Sequence, residues 1–156
     1  MRIAVSGEAP CDLAPVRAAM RRAARPYRLP PGARVSLAFI PDGEMRALNR
    51  RFRKIDRTTD VLSFGEALPR GVKGEAAVRF LRRASSGAPE LGEIAISAGQ
   101  ADRQARRGRR PLSSEVAFLA AHGLLHLLGF EDETPRGYRE MLRLGHDAAG
   151  QKPVKR

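Results

Sequence analysis

The sequence predicts one domain of mixed α and β structure, and three observations predict it. The chain has 156 residues, 42% of them hydrophobic, which is enough to enclose a single core. Strand-like and helix-like runs alternate from the N-terminus. The longest apolar stretch, "VAFLAAHGLLHLLGFEDE" at 116–133, is too short and too interrupted to span a bilayer, so it is expected to be a core helix. The opening "MRIAVSGEAP" has no apolar core of signal-peptide length, and the expectation is a soluble, cytoplasmic protein. Cys11 is the only cysteine, so an intramolecular disulfide and a thiolate metal site are both excluded.

The elements follow in order. "RIAVS" (2–6) reads as a strand, and Asp12 offers an N-cap to a helix with Leu13, Val16, Met20 and Ala23 on one face; "RPYRLPPG" ends it. "RVSLAFI" (34–40) reads as the second strand, and Asp42 is placed to cap a helix burying Met45, Leu48 and Phe52. "TTDVLSF" (58–64) and "GEIAIS" (92–97), the latter with Ile94 and Ile96 on one side, are strands three and four. The Gly, Pro and Ser between them mark 65–91 as a long excursion with room for a short helix at 75–83. Ser97 with Gln100 forms a capping-box signature for a basic helix, Ser113 or Ser114 is expected to cap the histidine helix at 113–128, and Gly129 ends it. Thr134 and Pro135 start a last helix carrying Tyr138, Met141 and Leu142. Residues 1–150 are read as one domain and 151–156 as a disordered basic tail. No internal repeat is present.

The formal net charge is +12, and the basic residues are almost all arginine. Arginine favours forked contacts with phosphate or carboxylate, and nucleic acid is the natural partner class. Two concentrations stand out, "RRFRKIDR" (50–57) and "RQARRGRR" (103–110). Aromatic residues make up only 5%, and no base-stacking platform is legible.

Two histidines, His122 and His126, lie in the apolar stretch. Buried imidazoles need partners, and four-residue spacing puts both rings on one helix face, where they can share a metal ion. Gly129 permits the turn that would let Asp132 supply a third ligand from the other side. Three protein ligands leave a divalent ion an open position, the pattern of a catalytic site. His146 follows an intervening helix without spacing logic and is the weaker rival. The spacing also matches the long zinc motif of metzincin peptidases, but where those carry a glutamate as general base this chain has Gly123, so the usual proteolytic machinery is missing.

"HGLLHLLGFED" resembles the H-G-x-L-H-L-x-G-Y-D-H signature of the YbeY family, metal-dependent endoribonucleases also called rRNA maturation factors. "LNRRFRKIDRTTDVLSF" (48–64) is similar to that family's L-N-x-x-[YF]-R-x-x-D-x-x-T-D-V-L-S-F block, and "LGEIAIS" (91–97) to its L-G-D-I-x-I-S strand. The resemblance implies a single α+β domain with a small mixed sheet and a helical layer, with which the four strands and about five helices read from the residues are compatible. It implies His122 and His126 as metal ligands and Arg53 as the functional arginine beside the metal cleft. The family's third ligand is usually histidine, and the matching residue here is Asp132. A carboxylate still suits zinc, but it weakens the ion as a Lewis acid and admits manganese or iron.

The implied function is endonucleolytic cleavage of single-stranded RNA in 16S rRNA 3′-end processing and ribosome quality control. The implied partners are rRNA and the small ribosomal subunit rather than DNA or a membrane. A divalent ion at such a site activates water or polarises a phosphoryl oxygen, and Arg53 would neutralise the phosphate. Glu131 and Glu133 flank the third ligand and are candidates for proton transfer at most. Two other readings stand beside this one, a noncatalytic ribosome-binding module and a metal hydrolase of other substrates.

Overall fold

The computed structural model describes residues 1–151. Among these residues five strands and five α-helices follow in order: β1 (Arg2–Ser6), α1 (Ala14–Ala24), β2 (Arg34–Ile40), α2 (Asp42–Arg53), β3 (Val61–Phe64), β4 (Arg82–Arg83), β5 (Pro89–Ser97), α3 (Ala98–Arg107), α4 (Leu112–Leu127) and α5 (Pro135–Ala148). The sheet is mixed, in the order β1-β2-β5-β3. β1 and β2 run parallel, as do β2 and β5, while β3 and β4 are each antiparallel to β5. The expected α+β class therefore holds, with one strand more than expected. β4 is only two arginines long, too short to show alternation in sequence.

α4 is the centre of the molecule. Val116, Ala117, Leu119, Ala120, Ala121, Leu124, Leu125 and Leu127 are all buried, so the helix is apolar on nearly every side because α1, α3, α5 and the sheet enclose it. On the sheet, Val35, Leu37, Phe39, Ile94 and Ile96 belong to the same buried cluster. α2 covers part of the opposite face through Met45, packed with Leu62 and Ala95. Among the described residues no helix is long and apolar enough to cross a membrane.

Several expectations require correction. Phe52 is 53% exposed rather than buried: Met45 and Leu48 seat α2 on the sheet, and the last turn has no layer above it. Asp42 is the first residue of α2, after Pro41, and does not cap it. Its carboxylate instead accepts a hydrogen bond from the Ser97 hydroxyl at 2.6 Å and pairs with Arg103 at 2.9 Å, tying α2 to α3. Pro111, not Ser113 or Ser114, precedes α4. Proline needs no N–H at a helix start, and that start absorbs both serines. Ser97 and Thr134 do cap α3 and α5, accepting from the amides of Gln100 and Gly137.

The excursion at 65–91 contains a 3₁₀ segment, Gly74–Phe80, and folds over the end of α4, where the Gly74 amide donates to the Leu128 carbonyl at 2.8 Å. Gln151, placed by the sequence in a disordered tail, accepts through Oε1 from His146 Nδ1 at 3.0 Å and donates through Nε2 to the Ser114 carbonyl. The rest of that tail, 152–156, lies outside the described residues.

Candidate metal centre

α4 carries His122 and His126 one turn apart at its C-terminal end, and the chain then reverses. Gly129 has φ +86°, and the Phe130 amide returns to the Leu125 carbonyl, closing the helix in the six-to-one pattern that a left-handed residue permits. Any Cβ on Gly129 would also strike the Val72 carbonyl of the overlying excursion. The reversal delivers Asp132: its Oδ2 lies 3.2 Å from His122 Nε2 and 3.4 Å from His126 Nε2, and the two Nε2 atoms are 3.1 Å apart. His146 is not part of this group. Its Nδ1 meets Gln151 and its ring stacks on Phe118 at 4.5 Å.

The donor chemistry fits a divalent cation. His126 Nδ1 lies 3.1 Å from the Phe130 carbonyl, which can only accept, so Nδ1 holds the proton and Nε2 presents a lone pair. Burial first, and the neighbouring His126 second, hold the His122 pKa below the usual histidine value against the pull of Asp132 and Asp60. Burial thus favours the neutral ring, the form that can offer a lone pair to a cation. Its Nδ1 is buried with no hydrogen-bond partner among the described residues, and the ring is held by packing beside Phe118. Two imidazole nitrogens and a carboxylate oxygen thus converge on one point. Tetrahedral zinc with bonds of about 2.0–2.1 Å sets its ligand atoms roughly 3.3 Å apart, and the three separations here bracket that spacing. His122, His126 and Asp132 could hold an ion together.

The three atoms open into a cleft of about 410 Å³ between α4 and the edge strand β3, and Arg53, from the end of α2, lines it too. So do Asp60, Glu66 and Glu133. Acids thus outnumber the single arginine, and without a cation this cleft would repel phosphate.

The sequence did not single out Asp60 or Ser63. Asp60 accepts from the Val61 amide at 2.8 Å and from Gln104 Nε2 at 3.1 Å. The Ser63 hydroxyl donates to the Gly123 carbonyl at 2.9 Å, pinning β3 to α4. Both lie in the "TDVLSF" block, whose polar residues had no legible partners. Glu131, in contrast, is occupied: its carboxylate accepts from the Glu133 and Thr134 amides and the Thr134 hydroxyl, and these bonds, that hydroxyl's first, lower its pKa. Gly123 faces the sheet. A Cβ there would lie 2.6 Å from Ile94 Cγ2, so the place of a metzincin's glutamate is filled by β5.

The family model for endoribonuclease YbeY matches residues 13–150. The chain belongs to the YbeY family. It is 40% identical over 122 residues to the endoribonuclease YbeY of Myxococcus xanthus, 78% of this chain and 37% of that protein. The Anaeromyxobacter sp. YbeY protein is 41% identical, over 71% of this chain and 50% of its own length. The chain thus spans half or less of these two YbeY relatives. It spans 74% of the Geobacillus thermodenitrificans YbeY, at 39% identity over 78% of this chain. A Thermotoga maritima protein solved in solution shares the fold, with a TM-score of 0.59 and 21% identity over 99% of this chain and 100% of that one.

Proposed function

We propose that this chain is a metal-dependent endoribonuclease of single-stranded RNA, acting in the cytoplasm in 16S rRNA 3′-end maturation and ribosome quality control, with residues 1–150 as one catalytic domain. The observation that carries the reading is the convergence of three acceptor atoms on one point of a cleft lined by Arg53. His122, His126 and Asp132 would hold one divalent ion, with zinc the first candidate. When bound, that ion supplies Lewis acidity and an acidified water.

The chain's own residues do the rest. The Arg53 guanidinium, exposed and without an ion pair among the described residues, neutralises the non-bridging oxygens of the scissile phosphate and orients them through two N–H groups. The hydrogen bond from His126 Nδ1 to Phe130 fixes one ligand ring, and Asp60, clamped by Val61 and Gln104, sets the wall of the cleft. Glu133 lines the cleft and is not held as Glu131 is. It is the carboxylate available to take a proton, and Glu131 is not.

The test is cleavage of a single-stranded RNA by protein purified without added metal, with and without chelator, alongside elemental analysis. Chelator-sensitive cleavage with about one ion per chain is expected. Chelator-insensitive cleavage, or none with the site loaded, would reject the reading.

A further inference from the structure

Phe52 is the most exposed large apolar side chain among the described residues, at 53%, yet its ring is braced. It packs edge-on against Phe64, with centroids 4.9 Å apart and planes at 63°, and the Arg51 guanidinium lies 5.2 Å from its centroid. It immediately precedes Arg53 of the metal cleft, and Phe64 lies between Ser63 and Gly65, which line that cleft. Phe64 also borders a second concavity, about 610 Å³, on the open face of the sheet beside Arg34 and Ser36. The surrounding Arg50, Arg51, Lys54 and Arg57 are exposed, and none is in an ion pair among the described residues.

A braced aromatic ring among unpaired cations, one residue from a phosphate-binding arginine, matches the chemistry of a nucleotide rather than an apolar protein partner. The ring accepts the π-face of any base, and the cations neutralise the flanking phosphates. Only an unpaired base exposes that face. We propose that Phe52, supported by Phe64, stacks on the base next to the phosphate held at Arg53, so that this step of binding selects single strands over duplex. The proposal rests on the RNA-cleaving reading above and adds a residue that the 5% aromatic content concealed.

The chain contains no tryptophan, so Phe52→Trp places a single fluorophore at the position. The probes are a single-stranded 2′-O-methyl RNA, which resists cleavage, and an abasic strand of the same length and charge. Quenching by the RNA but not by the abasic strand is expected. Phe52→Ala should bind the RNA about tenfold more weakly than the parent, with unchanged affinity for the abasic strand and a cooperative thermal melt. Equal quenching by both strands, parental RNA affinity in Phe52→Ala, or a changed oligomeric state of that variant without RNA would overturn the proposal, the last in favour of a protein contact. Cleavage of ordinary RNA by the parent separates the two readings. A parent that cleaves while the Phe52 variants bind as it does overturns stacking alone, and a parent that binds no single strand overturns both.

Discussion

His126 Nδ1 and the Phe130 carbonyl oxygen, 3.1 Å apart, join the last turn of α4 to the loop that carries Asp132. That one hydrogen bond sets both the tautomer of a ligand and the path of the chain toward the third one. His126→Ala should therefore abolish metal binding while leaving the fold, because the apolar faces of α4 pack without the imidazole. Metal at parental stoichiometry in this variant, by elemental analysis, would exclude the site.

Asp132→Asn removes the anionic ligand and should weaken metal affinity by at least tenfold, whereas Asp132→His restores an imidazole at that position and should retain or tighten it. Competition with a chromophoric chelator ranks the three proteins. Parental affinity in both variants would show that Asp132 is not a ligand, and His146, held by Gln151 and Phe118, would not replace it.

Arg53→Lys keeps the charge and loses the fork, so single-turnover cleavage should fall much more than RNA affinity. Arg107 and Arg109 should behave oppositely. Arg103, Arg106 and Arg110 of their cluster are already paired with Asp42, Asp102 and Glu115, which leaves these two to displace counterions. Their double replacement should weaken binding with a shallower salt dependence and leave cleavage of saturating RNA nearly unchanged. Binding at several salt concentrations checks both.

Asp42 carries a testable pH signature. Its hydrogen bond from Arg103 first, and that from Ser97 second, hold its pKa below the usual carboxylate value. The stabilisation is therefore complete above the unfolded pKa near 3.9 and is lost as pH falls through the lower folded pKa. Both partners are largely exposed, so the ion pair contributes little. Asp42→Asn and Asp42→Ala should both flatten the acid limb of stability below about pH 4, and Asp42→Ala should cost about 1–2 kcal/mol beyond Asp42→Asn by leaving the buried Ser97 hydroxyl without its acceptor. Denaturant melts from pH 2 to 7 distinguish them.

Gly123→Ala should destabilise by about 1–3 kcal/mol, since even a methyl group is driven against Ile94 and the Ser63 hydroxyl. A thermal melt measures it. A variant as stable as the parent would show that β5 can yield at this point.

What was legible in the sequence is what local chemistry determines. His122 and His126 are one turn apart whatever surrounds them, Gly129 permits the left-handed backbone at the helix end, and Ser97 and Thr134 reach amides three residues on. Phe52 was misplaced because helical periodicity gives a face but not how far the opposing layer extends. Asp42, Asp60 and Ser63 act through partners 55, 44 and 60 residues away, and no spacing rule spans such separations. The 65–91 excursion showed no periodicity because it crosses the end of α4 largely as irregular chain, anchored there by the Gly74 amide on the Leu128 carbonyl.

The clamp of Glu131 on Glu133 and Thr134 makes the ligand loop and the first turn of α5 one piece of structure. Asp132 lies inside that clamp, so its delivery to the histidines is inseparable from the nucleation of the next helix. Hydrogen exchange at the Glu133, Thr134 and Gly137 amides would then follow the integrity of the centre with no ion added. A chain that has formed α4 but not yet started α5 holds two ligands of the three.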